Sequence, residues 1–253
     1  MGKYISASFF IIFSFVSALF GQQAAVPETK PAEKPALPSV RNVIDKYVAA
    51  IGGKEAHLKL RSRLTKGNVE LSPMGLKGTF ELLQAPEARS ASRMTIAGVG
   101  EFADGADGKT SWTVNPIQGG RERTGLELQQ NLLTSNFYRE VNLEKLYTKL
   151  EVTGKETVAG RPALILAATS EGLPADIMYF DAETGQLLRT DSTLVSPEGN
   201  QPAKIFYEDY REIDGIKMPF KVRTVLPQFE IVMTTSEVKH GVEVDEARFS
   251  RPK

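Results

Sequence analysis

Between residues 149 and 225 apolar and polar positions alternate in short runs, and turns of Gly, Asp and Pro separate the runs. The runs are Lys149–Thr157, Ala163–Thr169, Ile177–Phe180, Leu187–Leu194, Lys204–Arg211 and Lys217–Val225. Period-two alternation at these lengths predicts strands, and short turns between them predict an up-and-down antiparallel sheet. A long sheet of this kind either rolls over a packed core or encloses a cavity.

The first half of the chain repeats the theme. Arg63–Leu71 and Leu76–Gln84 flank Ser72-Pro73-Met74-Gly75, which predicts a hairpin. Ser90–Ile96, Gly100–Ala103 and Ser111–Val114 read as further strands, with Asp104-Gly105-Ala106-Asp107-Gly108 as a turn and Asn115-Pro116 as a stop. Parity places Val69 with Leu71, Phe80 with Leu82, and Met94 with Ile96. Glu70, Glu81 and Thr95 fall on the other side. This is the signature of a sheet with one apolar and one solvated face. Gly119-Gly120-Arg121 reads as another turn.

Helical spacing appears twice. Ser39 is a good N-cap, and Val43, Ile44, Tyr47, Val48 and Ile51 share one helix face before Gly52 and Gly53 stop it. A short helical turn over Lys54–Leu60 follows. From Gly125 to Leu150 the apolar residues Leu126, Leu128, Leu132, Leu133, Phe137, Val141, Leu143, Leu146 and Tyr147 predict two short helices between the sheet halves, with Asn142 available to cap the second. Such helices cannot join the ladder, so they must lie across a face or over an open end.

The amino end is different in kind. Lys3 precedes an uncharged run, Ile5 to Phe20, and small residues follow, so residues 1–21 read as a secretory signal peptide cut after Gly21 or Ala24. An uncleaved anchor is the alternative, although the run is short for a full span. Residues 22–38 carry Pro27, Pro31, Pro35 and Pro38 and read as an extended linker. Residues 39–253 then form the folded domain. Export places the protein in the periplasm or outside the cell. The chain has no cysteine, so its core must hold without disulfides. Thirty-one basic residues balance 31 acidic ones, which leaves no electrostatic footprint for nucleic acid.

Composition also narrows the chemistry. There are two histidines, His57 and His240, at opposite ends of the domain, and no nucleophile elbow, zinc-peptidase or phosphate-loop motif. No catalytic residue, metal ligand or cofactor is therefore expected. A hydrolase built on a carboxylate pair assembled in space is the remaining enzymatic reading. Asp104 and Asp107 lack the spacing of a calcium loop and read as turn residues, as do Asp181 and Glu183. Arg121 and Arg123 are candidates to meet an anionic headgroup.

Three segments carry a family resemblance. Asp107-Gly108 with Trp112 and Pro116, the stretch Tyr179-Phe180-Asp181-Ala182-Glu183-Thr184-Gly185-Gln186-Leu187-Leu188-Arg189, and the stretch from Tyr207 to Phe220 resemble the LolA/LolB-like periplasmic lipoprotein carriers. The resemblance covers about residues 40–250. It implies an α+β, mainly β fold: a strongly curved antiparallel sheet, an incomplete barrel, with an N-terminal helix and a pair of helices inserted mid-sheet as a lid.

It also implies an apolar cavity for two or three acyl chains, each methylene worth about 0.8 kcal/mol. The expected lining is Val69, Leu71, Phe80, Leu82, Met94, Ile96, Phe102, Trp112, Leu132, Leu133, Phe137, Leu166 and Tyr207. For Trp112, and for the lid residues Leu132, Leu133 and Phe137, plain core packing is the alternative. Arg63 and Arg89 are the candidates for the carriers' cargo-sensitive arginine. The implied function is a non-catalytic exported carrier or chaperone for lipid acyl chains or a lipoprotein, touching membranes only transiently. The alternative is an interaction or sensory module of the cell envelope, associated with a protein partner such as a peptidase.

Overall fold

The computed structural model describes residues 36–251. The leader and residues 22–35 of the linker lie outside the described residues. The chain opens with α1 (Val40–Ala50) and α2 (Lys54–Lys59). It continues into β1 (Arg63–Ser72), β2 (Leu76–Ala85), β3 (Arg89–Ile96), β4 (Gly100–Asp107), β5 (Ser111–Asn115) and β6 (Gly119–Glu122). Then come α3 (Gly125–Thr134), a 3-10 turn at Arg139–Val141 and α4 (Leu143–Leu146). The second run comprises β7 (Lys149–Val158), β8 (Arg161–Thr169), β9 (Asp176–Asp181), β10 (Leu187–Leu194), β11 (Gln201–Ile213), β12 (Ile216–Val225) and β13 (Glu230–His240).

All thirteen strands join one curved antiparallel sheet in the order β6-β5-β4-β3-β2-β1-β13-β12-β11-β10-β9-β8-β7. The sheet does not close, because β6 and β7 are its two edges. It consists of two meanders joined where the last strand pairs with the first, Val69 opposite Met233. The segment of α3 and α4 therefore carries the chain from one edge to the other. This is the up-and-down sheet that the alternating pattern predicts, curved into the incomplete barrel that the family resemblance implies, with α3 and α4 between the two strand runs.

Three local expectations are corrected. Asp104-Gly105-Ala106 is not a turn: β4 runs on to Asp107, and the turn begins there, with Asp107 Oδ1 accepting the backbone N–H groups of Lys109 (2.9 Å) and Thr110 (2.7 Å). Gly105 serves packing instead, as the indole of Trp112 occupies the space beside it. Gly119-Gly120-Arg121 is an edge strand, paired with β5. The strand β13 has no counterpart among the predicted ones.

The inner face of the sheet holds the main core. Val43, Ile44, Tyr47 and Ile51 of α1 pack with Val141, Leu143 and Tyr147 against Leu166, Ala168, Met178, Phe180 and Leu187. The ring centroids of Tyr47 and Phe180 are 4.9 Å apart. Ser39 caps α1 as expected, accepting the N–H of Asn42 at 3.2 Å. Gly52 then lets the helix end against the β11–β12 turn: a β-carbon there would lie 2.2 Å from the Gly215 oxygen, and φ is +106°.

The outer face has its own cover. Leu83, Ala85 and Ala91 pack with Phe249, Leu64, Val242 and Val244, so the segment after β13 folds back over the first meander. On the second meander Tyr179 and Phe206 lie beneath the guanidinium groups of Arg189 (3.8 Å) and Arg223 (4.0 Å). A sheet expected to be wet outside therefore carries apolar residues on both faces, shielded by chain or by arginine.

Candidate functional site

The helices fill only part of the inner face. Where α1 and the Arg139–Val141 turn meet β1, β2, β11, β12 and β13, a cavity of about 320 Å³ remains. Ligand pockets typically measure about 300–1,000 Å³, so this one is at the small end. Ile51, Phe80, Leu82, Leu187, Met218, Pro219, Val222 and Met233 supply its apolar wall, and Tyr47, Tyr207 and Tyr210 its aromatic one. His57, Arg63, Gln84, Arg139, Glu140 and Lys217 also reach it.

Strand geometry explains most of this wall. Thr65 pairs with Leu82 and Gly67 with Phe80, so alternate residues of β1 and β2 face inward together. Tyr207 pairs with Val222, and Val222 with Met233, which extends the same face across β11, β12 and β13. Tyr210 breaks the alternation. It lies three residues from Tyr207 and would point outward from a regular strand, but Asp209 between them is left-handed, with φ 55°. The ladder passes from Glu208–Lys221 to Tyr210–Pro219, and both tyrosines reach the cavity. The Tyr210 hydroxyl donates to the Leu187 carbonyl at 2.9 Å.

The polar members are tied in place. His57 is buried, and its Nε2 lies 3.1 Å from the Ile51 carbonyl, which also accepts the Lys217 N–H at 2.9 Å. Burial lowers the His57 pKa from its ordinary value. Arg63 donates twice to Gln84 Oε1 (3.2 and 2.8 Å) and lies over the Phe137 ring at 5.6 Å. Arg139 donates to the Tyr147 hydroxyl at 2.7 Å and to Asp176 Oδ2 at 3.4 Å. The Tyr147 hydroxyl in turn donates to Asp176 at 2.6 Å. Burial and the neighbouring Asp176 carboxylate push the Tyr147 pKa well up, although Arg139 opposes them, so this hydroxyl keeps its proton. The Glu140 carboxylate has neither a hydrogen bond nor an ion pair among the described residues.

Of the thirteen residues expected to line a cavity, Phe80, Leu82 and Tyr207 are on this wall. Val69, Leu71, Met94, Ile96 and Phe102 share the inner face by pairing, since Phe80 opposes Met94 and Met94 opposes Phe102, but they lie beyond the cavity. Leu166 is wholly buried in the main core, and Leu133 packs against that core from α3. Leu132 is half-buried on α3 and is not part of the wall, while Phe137 is buried beneath Arg63. Trp112 is a correction of side. It pairs with Gly105, one residue out of step with the inner-face pair Asp104–Thr113, so it faces outward. There its Nε1 donates to the Phe249 carbonyl at 2.8 Å.

The two candidate arginines also separate. Arg63 reaches the cavity, whereas Arg89 pairs with Glu246 and lies over Phe249 on the outer face. Arg121 and Arg123 are not free for a headgroup, because both pair with Glu127 and Arg123 also pairs with Asp104. The expected lining left out Tyr47, His57, Arg139, Glu140 and Tyr210, although helical periodicity had placed Tyr47 on the apolar face of α1. The available signal was Arg139-Glu140 lying directly between the apolar residues Phe137 and Tyr138 on one side and Val141 and Leu143 on the other.

The sequence matches no protein-family model and no curated protein. Solved structures do share its architecture. A DUF1329 family protein from Desulfovibrio piger superposes with a TM-score of 0.56 at 18% identity, over 83% of this chain and 97% of that one. A LolA superfamily protein from Nitrosomonas europaea gives a TM-score of 0.57 at 13% identity, over 85% and 99% of the two chains. An outer membrane lipoprotein-sorting protein domain from Vibrio parahaemolyticus gives 0.54 at 10% identity, over 82% and 94%. At these identities the likeness is one of fold, and the fold is LolA-like.

Proposed function

We propose that this protein is a non-catalytic carrier of a lipid or of a lipid-modified protein, and that the cavity between α1 and the sheet holds the hydrocarbon chain. The observation that carries this reading is the unfilled space itself: about 320 Å³ with a largely apolar wall remain beside the packed core of the inner face. Tight packing is the norm in protein interiors, so an opening of this size on a largely apolar wall calls for an occupant. The volume suits one chain rather than two or three. Transfer of each methylene is worth about 0.8 kcal/mol, so eight to ten buried methylenes supply about 6–8 kcal/mol before the costs of association.

The sharing of architecture with a lipoprotein-sorting domain supports this reading. So does the expected leader, which would place the protein in the periplasm. No helix among the described residues is long and apolar enough to cross a membrane. Catalysis has less support, since Glu140 is the one carboxylate of the cavity and no partner acid faces it there.

The test is uptake of a fluorescent fatty acid by the full chain and by Leu82→Trp, which fills the cavity from β2. Saturable uptake that the substitution lowers at least tenfold, with the folding transition retained, supports the carrier. Absence of uptake by the unaltered protein removes it in favour of a docking module that recognises an envelope protein.

A further inference from the structure

Every strand runs antiparallel to its neighbours, so successive turns fall alternately at the two ends of the half-barrel. One end carries the β1–β2 turn (Pro73-Met74-Gly75), the β3–β4 turn (Ala97-Gly98-Val99), the β5–β6 turn (Pro116-Ile117-Gln118) and the β12–β13 turn (Leu226-Pro227-Gln228-Phe229). These four turns are neighbours in space, because β6, β5, β4, β3, β2, β1, β13 and β12 follow one another in the sheet. At about 4.8 Å per strand they occupy about 34 Å of rim. Ser72 pairs with Glu230, so the β1–β2 and β12–β13 turns project to the same height. A β-carbon at Gly100 would lie 2.9 Å from Pro116 Cβ, so the β5–β6 turn rests against the foot of the β3–β4 turn.

The rim is bare of charge. No charged residue occurs between Glu70 and Lys77, between Arg93 and Glu101, between Lys109 and Arg121, or between Arg223 and Glu230. Charged residues make up 25% of the chain, and the turns at the opposite end carry their share in Glu87, Lys109, Glu183 and Asp214. Directly behind the bare turns the charges come as opposites. Arg93 pairs with Glu101 (3.7 Å) and Arg223 with Glu230 (3.4 Å), and Glu70 stands across the ladder from Lys77.

The same rim exposes apolar side chains. Ile117 is 81% exposed and Met74 52%, and Leu194, the last residue of β10, is exposed at this end too. Exposed apolar residues scattered singly are ordinary, but a row of them on adjacent uncharged turns marks a contact surface. A protein partner would need about 800 Å² of matched surface, whereas these turns are separate fingers with one or two apolar side chains each. A fluid lipid surface requires no such matching. The free backbone groups of each turn must stay hydrated, which limits entry to the outer 5–10 Å or so of a leaflet. With no cation on the turns, anionic lipid gains no advantage over neutral lipid.

We propose that this rim is a lipid-contacting edge, whose four turns dip into the boundary between headgroups and acyl chains and are held there by apolar insertion rather than by charge. This goes beyond the carrier reading and does not depend on it: a cavity that never took up a hydrocarbon chain would leave the rim assignment intact.

The chain has no cysteine, so a single introduced one can carry the environment-sensitive NBD fluorophore. Gln118→Cys and Gln228→Cys label the rim of the full chain, and Glu87→Cys labels the opposite end. With vesicles of phosphatidylcholine alone, both rim labels are expected to shift to the blue and brighten about twofold or more, while the Glu87 label stays unchanged. Replacing about a fifth of the lipid by phosphatidylglycerol, or raising salt to about 0.5 M, should leave the response as it is. Met74→Asp combined with Ile117→Asp should lower partitioning about tenfold with the thermal transition unchanged, since both side chains are exposed. Silent rim labels overturn the proposal, and so does a Glu87 response as large as theirs. A response that needs anionic lipid or vanishes in salt overturns it in favour of an electrostatic contact. Partitioning that the double substitution leaves unchanged also overturns it, and assigns the binding to residues 1–21 or another surface. Silent rim labels together with self-association that the double substitution abolishes would assign the rim to a second copy of the chain instead.

Discussion

Gly105 leaves the room that the Trp112 indole fills: a β-carbon at position 105 would lie 2.4 Å from Cε2 and Cζ2 of that ring. The indole cannot step aside easily, because its Nε1–H is bound to the Phe249 carbonyl on the carboxyl-terminal segment. Gly105→Ala should therefore force overpacking and cost about 1–3 kcal/mol. Trp112 is the only tryptophan, so its emission reports the same site. Chemical denaturation should show the loss, with emission shifted to the red in the native state. Unchanged stability would mean that the carboxyl-terminal segment does not hold the indole there.

Asp176 is the anchor of the polar side of the site. It is buried, and it accepts the Tyr147 hydroxyl and the Ser192 hydroxyl, each at 2.6 Å, beside Arg139. Asp176→Ala leaves a buried guanidinium uncompensated and should cost about 3–5 kcal/mol. Asp176→Asn keeps one acceptor oxygen and should cost less. Thermal melts of the two variants check the order; equal losses would contradict the charge-pairing account.

Asp181 predicts an acid limb of stability. Its burial raises its pKa, but the N–H groups of Thr184 and Glu183 and the nearby Arg161 outweigh that and hold it below the ordinary carboxylate value. A depressed folded pKa gives stability that is present above the unfolded value, about 3.9, and lost as pH falls through the folded one. Asp181→Asn should be less stable than the unaltered protein at pH 6, and the gap should close as pH falls below the unfolded value, about 3.9, and through the lowered folded one. Urea titrations across that range measure it.

His57 gives a second limb at milder pH. Burial holds its folded pKa below 6.5, so the stability it contributes is complete above that value and lost as pH falls through the lowered folded one. Its ring is on the cavity wall, so protonation also places a charge beside the proposed hydrocarbon chain. Fatty-acid uptake should weaken as pH falls below about 6.5 and through the lowered folded value, and His57→Gln should flatten that profile. A profile that is flat for the unaltered protein would exclude His57 from the site.

The strands and α1 were legible because their signals are local: two-residue alternation, a serine cap and a glycine stop. The carriers' half-barrel followed from the order of those elements. The cavity was much less legible. Phe80 and Leu82 were identified by parity, but parity cannot say which part of an inner face the helices leave open, and Met94 and Phe102 share that parity without reaching the space. Trp112 was expected on the cavity wall with plain core packing as the alternative, and its pairing with Gly105 turns it outward, where it is buried. Tyr210 depends on one left-handed residue, Asp209, that no periodicity encodes. Arg139 and Glu140 come from a 3-10 turn whose direction is set by α1 and β9, far away in sequence.

The central claim is that the inner cavity carries a hydrocarbon chain. Native mass spectrometry of the protein isolated from the envelope of cells that export it tests this most directly. The account predicts an added mass of a single amphiphile, released on mild activation and missing from Leu82→Trp. A bare polypeptide mass for the unaltered protein, under conditions that preserve lipids on a known carrier, would contradict it.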